Sequence, residues 1–344
     1  MSSFFEEIKT QPAMLSNMLK QYSKSKFKLI IKAADKMKTA QKIIFCGMGT
    51  SFFAPNCILS RLRKIKEAFC LEAAEMAEDC TSLVKKGDVI ILLSQSGESI
   101  EVLNILKKLK TRKAFLISIT NNPNSALATA SDMILELYAG EELSITNKTF
   151  TNTLALLYLL EAAIEGAELN SLSVHLEESC FAMQDIITNK LDVIKSIAQE
   201  FHSEKGMLFI GRKGISTTIA NQSALIFMEG AAIYTRAFST GAFRHGPIEI
   251  CSDRHKLIVY NCNDDEQQIM TELEKQITNL GSMVYVVTNM ETNAQKCFKV
   301  QAKDSMQYSL VVAVFMEILL MYVAKDRGRI AGKFNITKKI CIAE

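Results

Sequence analysis

Apolar residues in this chain fall into short unbroken runs separated by amphipathic stretches. Val89, Ile90, Ile91, Leu92 and Leu93 form one such run, as a strand buried on both faces of a parallel sheet requires. Ile100, Leu103, Leu106 and Leu109 then recur at helical spacing. Two amphipathic helices open the chain. After them the alternation predicts strands at 42–46, 88–94, 114–120 and 132–137, with helical stretches near 51–63, 100–110 and 124–130. This is the pattern of a doubly wound α/β unit, whose ligands bind at the carboxyl ends of its strands.

A long helical stretch from about 148 to 200 follows, and then the pattern restarts. "GMLFIGRKG" at 206–214 mirrors "QKIIFCGMGTS" at 41–51: a strand, a Gly-rich turn, a helix. A strand in "AIYTRAF", strands at 256–261 and 283–289 and a helix at 307–325 complete a second unit. The expected organisation is N-terminal helices over 1–40, a first α/β domain over 41–170, a second over 171–325 and a tail over 326–344. The longest apolar run, 308–324, has 17 residues with Glu317 inside it, which is short for a membrane span and suits a core helix.

With 344 residues, 48% of them hydrophobic, the chain can bury a large core. A net charge of +3 without a dense basic stripe argues against nucleic acid as the main partner. Lys107, Lys108, Lys110, Arg112 and Lys113 fall at a helix end, where positive charge complements the dipole. Nine cysteines without a CxxC pair, and no secretory leader, suggest a reducing cytoplasm. The histidines at 175, 202, 245 and 255 lack metal-ligand spacing, and no GxGxxG occurs, so neither a metal nor a cofactor is expected.

The junctions carry the candidate chemistry. In "LLSQSGES", 92–99, a strand stops at Ser94, Gln95, Ser96, Gly97 and Ser99 and passes directly into a helix. Such a junction points N–H groups and hydroxyls at one place, as a phosphate site needs, although one serine there also makes an ordinary N-cap. The earlier turn "CGMGTS" adds Gly47 and Gly49 for close backbone approach, with Thr50 and Ser51 at the next helix N-terminus. Two hydroxyl-rich turns in one parallel unit favour a monophosphate over a dinucleotide. The second half has no equivalent of the serine-rich loop.

In these residues the chain resembles the tandem SIS (sugar isomerase) domain family, in particular the isomerase module of glucosamine-6-phosphate synthase and related phosphosugar deglycases and deaminases. The resemblance rests on "GTS" 49–51, "SQSGES" 94–99, "NNPNSALATASD" 121–132, "AGEEL…TNKTFTNTL" 139–154, "SALIFMEGAAIYTRAFSTGAFRHGPIEI" 223–250 and "TKKICIAE" 337–344. It implies two tandem SIS domains, each a doubly wound parallel sheet flanked by helices. It further implies that Gly49, Thr50, Ser51, Ser94, Gln95, Ser96 and Ser99 hold a hexose 6-phosphate. Glu229 matches the carboxylate that moves a proton between C1 and C2 of the open-chain sugar. His245 matches a ring-opening histidine contributed by a neighbouring subunit, hence a homodimer with shared sites. Lys339 matches a tail lysine that reaches the substrate carbonyl.

The residue types suit these roles. A partly buried Glu with a raised pKa can take and return one proton, and His can transfer protons near neutrality. Three departures bear on the substrate. No cysteine-led amidotransferase segment occurs, so glutamine is not the expected amine source. Ile226 stands where the synthase carries its first lysine, and Glu249 after "HGP" resembles the deglycases, whereas the "TKKICIAE" tail is synthase-like. The expected activity is therefore a cytoplasmic, cofactor-free deglycase or deaminase of an aminated hexose 6-phosphate. An aldose–ketose phosphosugar isomerase is the alternative within catalysis, and a phosphosugar sensor the alternative outside it.

Overall fold

The computed structural model describes residues 3–201, 206–252, 255–263, 267–334 and 336. Its strands form two five-stranded sheets in which every pairing is parallel. By contact the chain divides into two compact units. The first comprises Ala13–Glu142 and Lys148–Glu177; the second comprises the residues up to Pro12, Leu143–Asn147 and Glu178–Phe334. These limits cut across those expected from the sequence, because the first helix is divided at Pro12 and a five-residue segment crosses over.

The first unit takes up α1 (Ser3–Gln21) after Pro12, and the helix passes through a π-helical turn into α2 (Phe27–Thr39). There follow β1 (Ile43–Gly47), α3 (Thr50–Phe53), α4 (Asn56–Leu62), β2 (Ala68–Glu72) and α5 (Ala73–Glu78). Next come β3 (Val89–Leu93), α6 (Ile100–Leu109), β4 (Phe115–Thr120), α7 (Ala126–Ala130), β5 (Met133–Glu136), α8 (Lys148–Glu165) and α9 (Leu169–Glu177). The strand order is β2-β1-β3-β4-β5, and β1 and β3 are buried along their whole length. The helix expected near 51–63 is two helices, because Pro55 between them has no N–H with which to continue a ladder. Likewise the stretch from 148 to 200 is four helices.

The second unit contains α10 (Ser179–Asn189), α11 (Leu191–Glu200), β6 (Met207–Gly211), α12 (Gly214–Ala231), β7 (Thr235–Ser239) and α13 (Thr240–Arg244). It continues with β8 (Lys256–Asn261), α14 (Gln267–Asn279), β9 (Met283–Thr288), β10 (Cys297–Lys299) and α15 (Ser305–Asp326). Read from β7, its order is that of the first sheet. The registers agree as well: Cys46 lies opposite Leu92, as Ile210 lies opposite Val259. Gly211 is therefore the counterpart of Gly47, and Asn261 that of Ser94. Both glycines have the same cause. A Cβ on Gly47 would stand 2.7 Å from the Ser51 carbonyl carbon, and one on Gly211 would stand 2.2 Å from that of Ser216. In each unit the following helix crosses tightly over the strand end.

The apolar run 308–324 lies in α15, which is mostly buried and packs on α10, α11 and α12. Its Glu317 accepts a hydrogen bond from the Gln11 amide. A second carboxylate on α1 gathers the crossing segment. Glu7 accepts from the N–H groups of Leu143 (2.7 Å) and Ser144 (3.3 Å), from Asn147 Nδ2 (2.9 Å) and from the Ser144 hydroxyl. Burial alone would raise its carboxyl pKa, but the bonds from Ser144, Leu143 and Asn147 outweigh it and hold the group below its ordinary value.

Candidate active site

The Gly49–Ser51 and Ser94–Ser99 turns follow β1 and β3, which are hydrogen-bonded neighbours in the first sheet. The structure thus brings both hydroxyl-rich turns to adjacent carboxyl strand ends, where the order of the sheet reverses. Gly49 has φ +50°, in the region that favours glycine, and its carbonyl accepts from the N–H groups of Phe52 and Phe53 at 3.0 Å each. That starts α3 at Thr50. The far end of α3 is tethered by Cys70, whose thiol donates to the Phe52 carbonyl at 3.2 Å. Burial pushes this thiol up to about 12, so it stays protonated and able to donate.

The serine loop is internally braced. The Ser94 hydroxyl is buried and accepts from Gly97 N–H at 3.1 Å; the Ser96 hydroxyl accepts from Glu98 N–H at 3.2 Å. Ser99 stands at the N-cap of α6, yet its side chain makes no capping bond. The ordinary reason for a serine at that position therefore does not apply. Its hydroxyl lies beside the first turn of a ten-residue helix, whose N–H groups and dipole favour an anion. Thr50, Ser51, Gln95, Ser96 and Ser99 are all partly exposed and reachable.

Some residues that shape this loop carry no sequence signal of their own. Gly97, at φ +67°, packs on Ser125: a Cβ there would stand 2.1 Å from the Ser125 hydroxyl oxygen. The Gln95 carbonyl accepts from Asn121 N–H at 3.1 Å and from the Thr120 hydroxyl at 3.3 Å. Ser125 is itself the N-cap of α7, accepting from Ala128 N–H at 3.2 Å. Its contact with Gly97, 28 residues earlier, has no local signal in the sequence.

Glu229 and His245 lie in the second unit. Glu229 sits in the last turn of α12 and is exposed rather than partly buried. The next residue, Gly230, is packed so closely that a Cβ would stand 2.9 Å from Ile145 Cδ1 and 3.0 Å from Leu320 Cδ1. Ile226 is fully buried. His245 ends α13, exposed, and Glu249 is exposed in the short 3-10 turn Pro247–Ile250. Lys339 lies outside the described residues.

The SIS domain family matches residues 36–164, the span that holds both turns. The second sheet repeats the strand order of the sheet within this span. Solved structures share the fold over nearly the whole chain. The tagatose-6-phosphate ketose/aldose isomerase of Escherichia coli aligns with TM-score 0.84 and 17% identity over 97% of this chain and 96% of that one. The glucosamine-6-phosphate deaminase of Thermotoga maritima aligns with TM-score 0.78 and 22% identity over 98% and 99%. In sequence, the isomerizing glutamine–fructose-6-phosphate aminotransferase of Sulfurisphaera tokodaii is 25% identical over 316 residues, 91% of this chain. The chain spans about half the length of that relative, 52%.

Proposed function

We propose that this protein is a phosphosugar enzyme that removes an amine from an aminated hexose 6-phosphate. The observation that carries the reading is the pairing of two hydroxyl-rich turns at adjacent strand ends of the SIS domain, one of them with a serine that does not cap its helix. Thr50, Ser51, Ser94, Gln95, Ser96 and Ser99 take the 6-phosphate and part of the sugar. With glucosamine 6-phosphate, Glu229 removes the C2 proton of the open-chain aldehyde and the proton returns at C1. Water then adds to the C2 imine and ammonia leaves. A fructosamine 6-phosphate, with its amine on C1 and its ketone at C2, instead loses a C1 proton and regains one at C2, and water then releases the amine from the C1 imine. His245 assists ring opening and Lys339 engages the substrate carbonyl. The buried Ile226 supports amine release over the synthase reaction, since it leaves that position without a cation.

The reading includes a homodimer in a reducing cytoplasm, with Glu229 of one subunit completed by His245 of the other. Met228, Tyr234 and Ile250, exposed apolar residues flanking these two, support a self-association that covers them. The test is a panel of hexose 6-phosphates, aminated and not, assayed for ammonia or amine release and for aldose–ketose interconversion, with Glu229→Gln as the control. Amine release that disappears in Glu229→Gln is the expected result. Interconversion without amine release would replace this reading with that of a plain isomerase. Binding without any turnover would replace it with that of a sensor.

A further inference from the structure

We infer that Glu98 is a positioning residue that pegs the serine loop to α7 and does not itself touch the ligand; this rests on reading the loop as a phosphate site. A carboxylate inside an anion-binding loop is at first sight adverse, because like charges repel. The structure turns it elsewhere. Glu98 Oε1 accepts from Ala126 N–H at 2.6 Å, at the first helical residue of α7. Two further acceptors of the loop point the same way: the Gly97 carbonyl accepts from Leu127 N–H at 3.2 Å, and the Gln95 carbonyl accepts from Asn121 and Thr120. Gly97 fits against the fully buried Ser125 between them. The acceptors of the loop are thus drawn onto the β4–α7 connection, and its own negative charge is engaged by a backbone donor. What remains for the ligand is the side of Ser96, Ser99 and the start of α6.

The peg needs an acceptor oxygen, not a charge, and this separates it from an electrostatic role. Glu98→Gln keeps a carbonyl oxygen for Ala126 N–H and removes the repulsion; Glu98→Ala removes both. Calorimetric titration of the full chain with inorganic phosphate and with glucosamine 6-phosphate is expected to give Glu98→Gln within about twofold of wild type. Glu98→Ala is expected to bind about tenfold more weakly, the loss of one hydrogen bond that holds the loop. In turnover, Glu98→Ala should raise KM with kcat nearly unchanged, the mark of lost uniform binding. Glu98→Ala binding as tightly as Glu98→Gln, or tighter than wild type, overturns the peg and leaves the phosphate site standing. Wild type that binds neither probe overturns the phosphate site and the role of Glu98 with it.

Discussion

Gly97→Ala tests whether the serine loop is as tightly constrained as its surroundings imply. The native φ of +67° costs an alanine about 1–2 kcal/mol. The new methyl would stand 2.1 Å from Ser125 Oγ and 2.6 Å from Ser125 Cβ. Ser125 is fully buried, so it cannot yield toward solvent, and overpacking of this kind costs about 1–3 kcal/mol. If the hydroxyl rotates away it abandons Ala128 N–H, a lost cap of about 1 kcal/mol. Together these come to roughly 3–6 kcal/mol, taken either as stability or as displacement of the loop. Equilibrium urea unfolding by circular dichroism reads the first outcome and titration with glucosamine 6-phosphate reads the second. The double variant Gly97→Ala/Ser125→Ala removes the nearer atom but keeps the Cβ, so it should recover part of the loss, with a coupling of about 0.5–3 kcal/mol. A Gly97→Ala protein that matches wild type in both assays would refute the reasoning.

Other outcomes follow from the same geometry. Ser96→Ala should weaken hexose 6-phosphate binding by about 1–3 kcal/mol with an unchanged circular dichroism spectrum, checked by calorimetry. Glu229→Gln should lower turnover by about two to four orders of magnitude with little change in binding, checked by loss of solvent deuterium incorporation at C1 or C2. The folded pKa of Glu7 is depressed, so its contribution to stability is present above the ordinary carboxylate value of 4.5 and is lost as pH falls through the lower folded value. Glu7→Gln should therefore flatten the acid limb of stability below about pH 4.5, measured by urea unfolding across pH. In the first unit Arg61 forks onto the buried Glu161 at 2.7 and 2.6 Å; Arg61→Met should cost about 3 kcal/mol, and Arg61→Met/Glu161→Met distinctly less.

The sequence announced the sheets wherever a strand is buried on both faces. The run Val89–Leu93 and the strand Lys256–Asn261 match the expected spans closely, since continuous apolar character has few other uses at that length. It did not announce β2, whose "AFCLE" is a partly exposed edge, nor the three-residue β10. The hydroxyls of the two turns were legible because Gly, Ser and Thr between a strand and a helix have a local meaning. The bracing by Ser125, Thr120 and Glu98 was not, because those contacts join residues about 25–28 apart and depend on the sheet having formed. Glu7 and its segment, separated by up to 140 residues, are more hidden still. The exposure of Glu229 also escaped, since the spacing of α12 says which residues face the core but not which of the others meet solvent.

The second unit is not a contiguous stretch, and this sets a timetable for its making. Phe4, Phe5 and Ile8, all buried, emerge from the ribosome more than 300 residues before Gly332, where a Cβ would come within 2.8 Å of Phe4 Cβ. At about 5–20 residues per second the wait is on the order of tens of seconds, with greasy side chains uncovered throughout. A gene cut between Glu177 and Glu178 would therefore not release two autonomous halves: the later fragment would lack the part of α1 up to Pro12 that belongs to its unit. Such a fragment should aggregate when expressed alone and be rescued by a synthetic peptide of residues 1–21. Circular permutation that moves this helix to follow Phe334 would remove the wait.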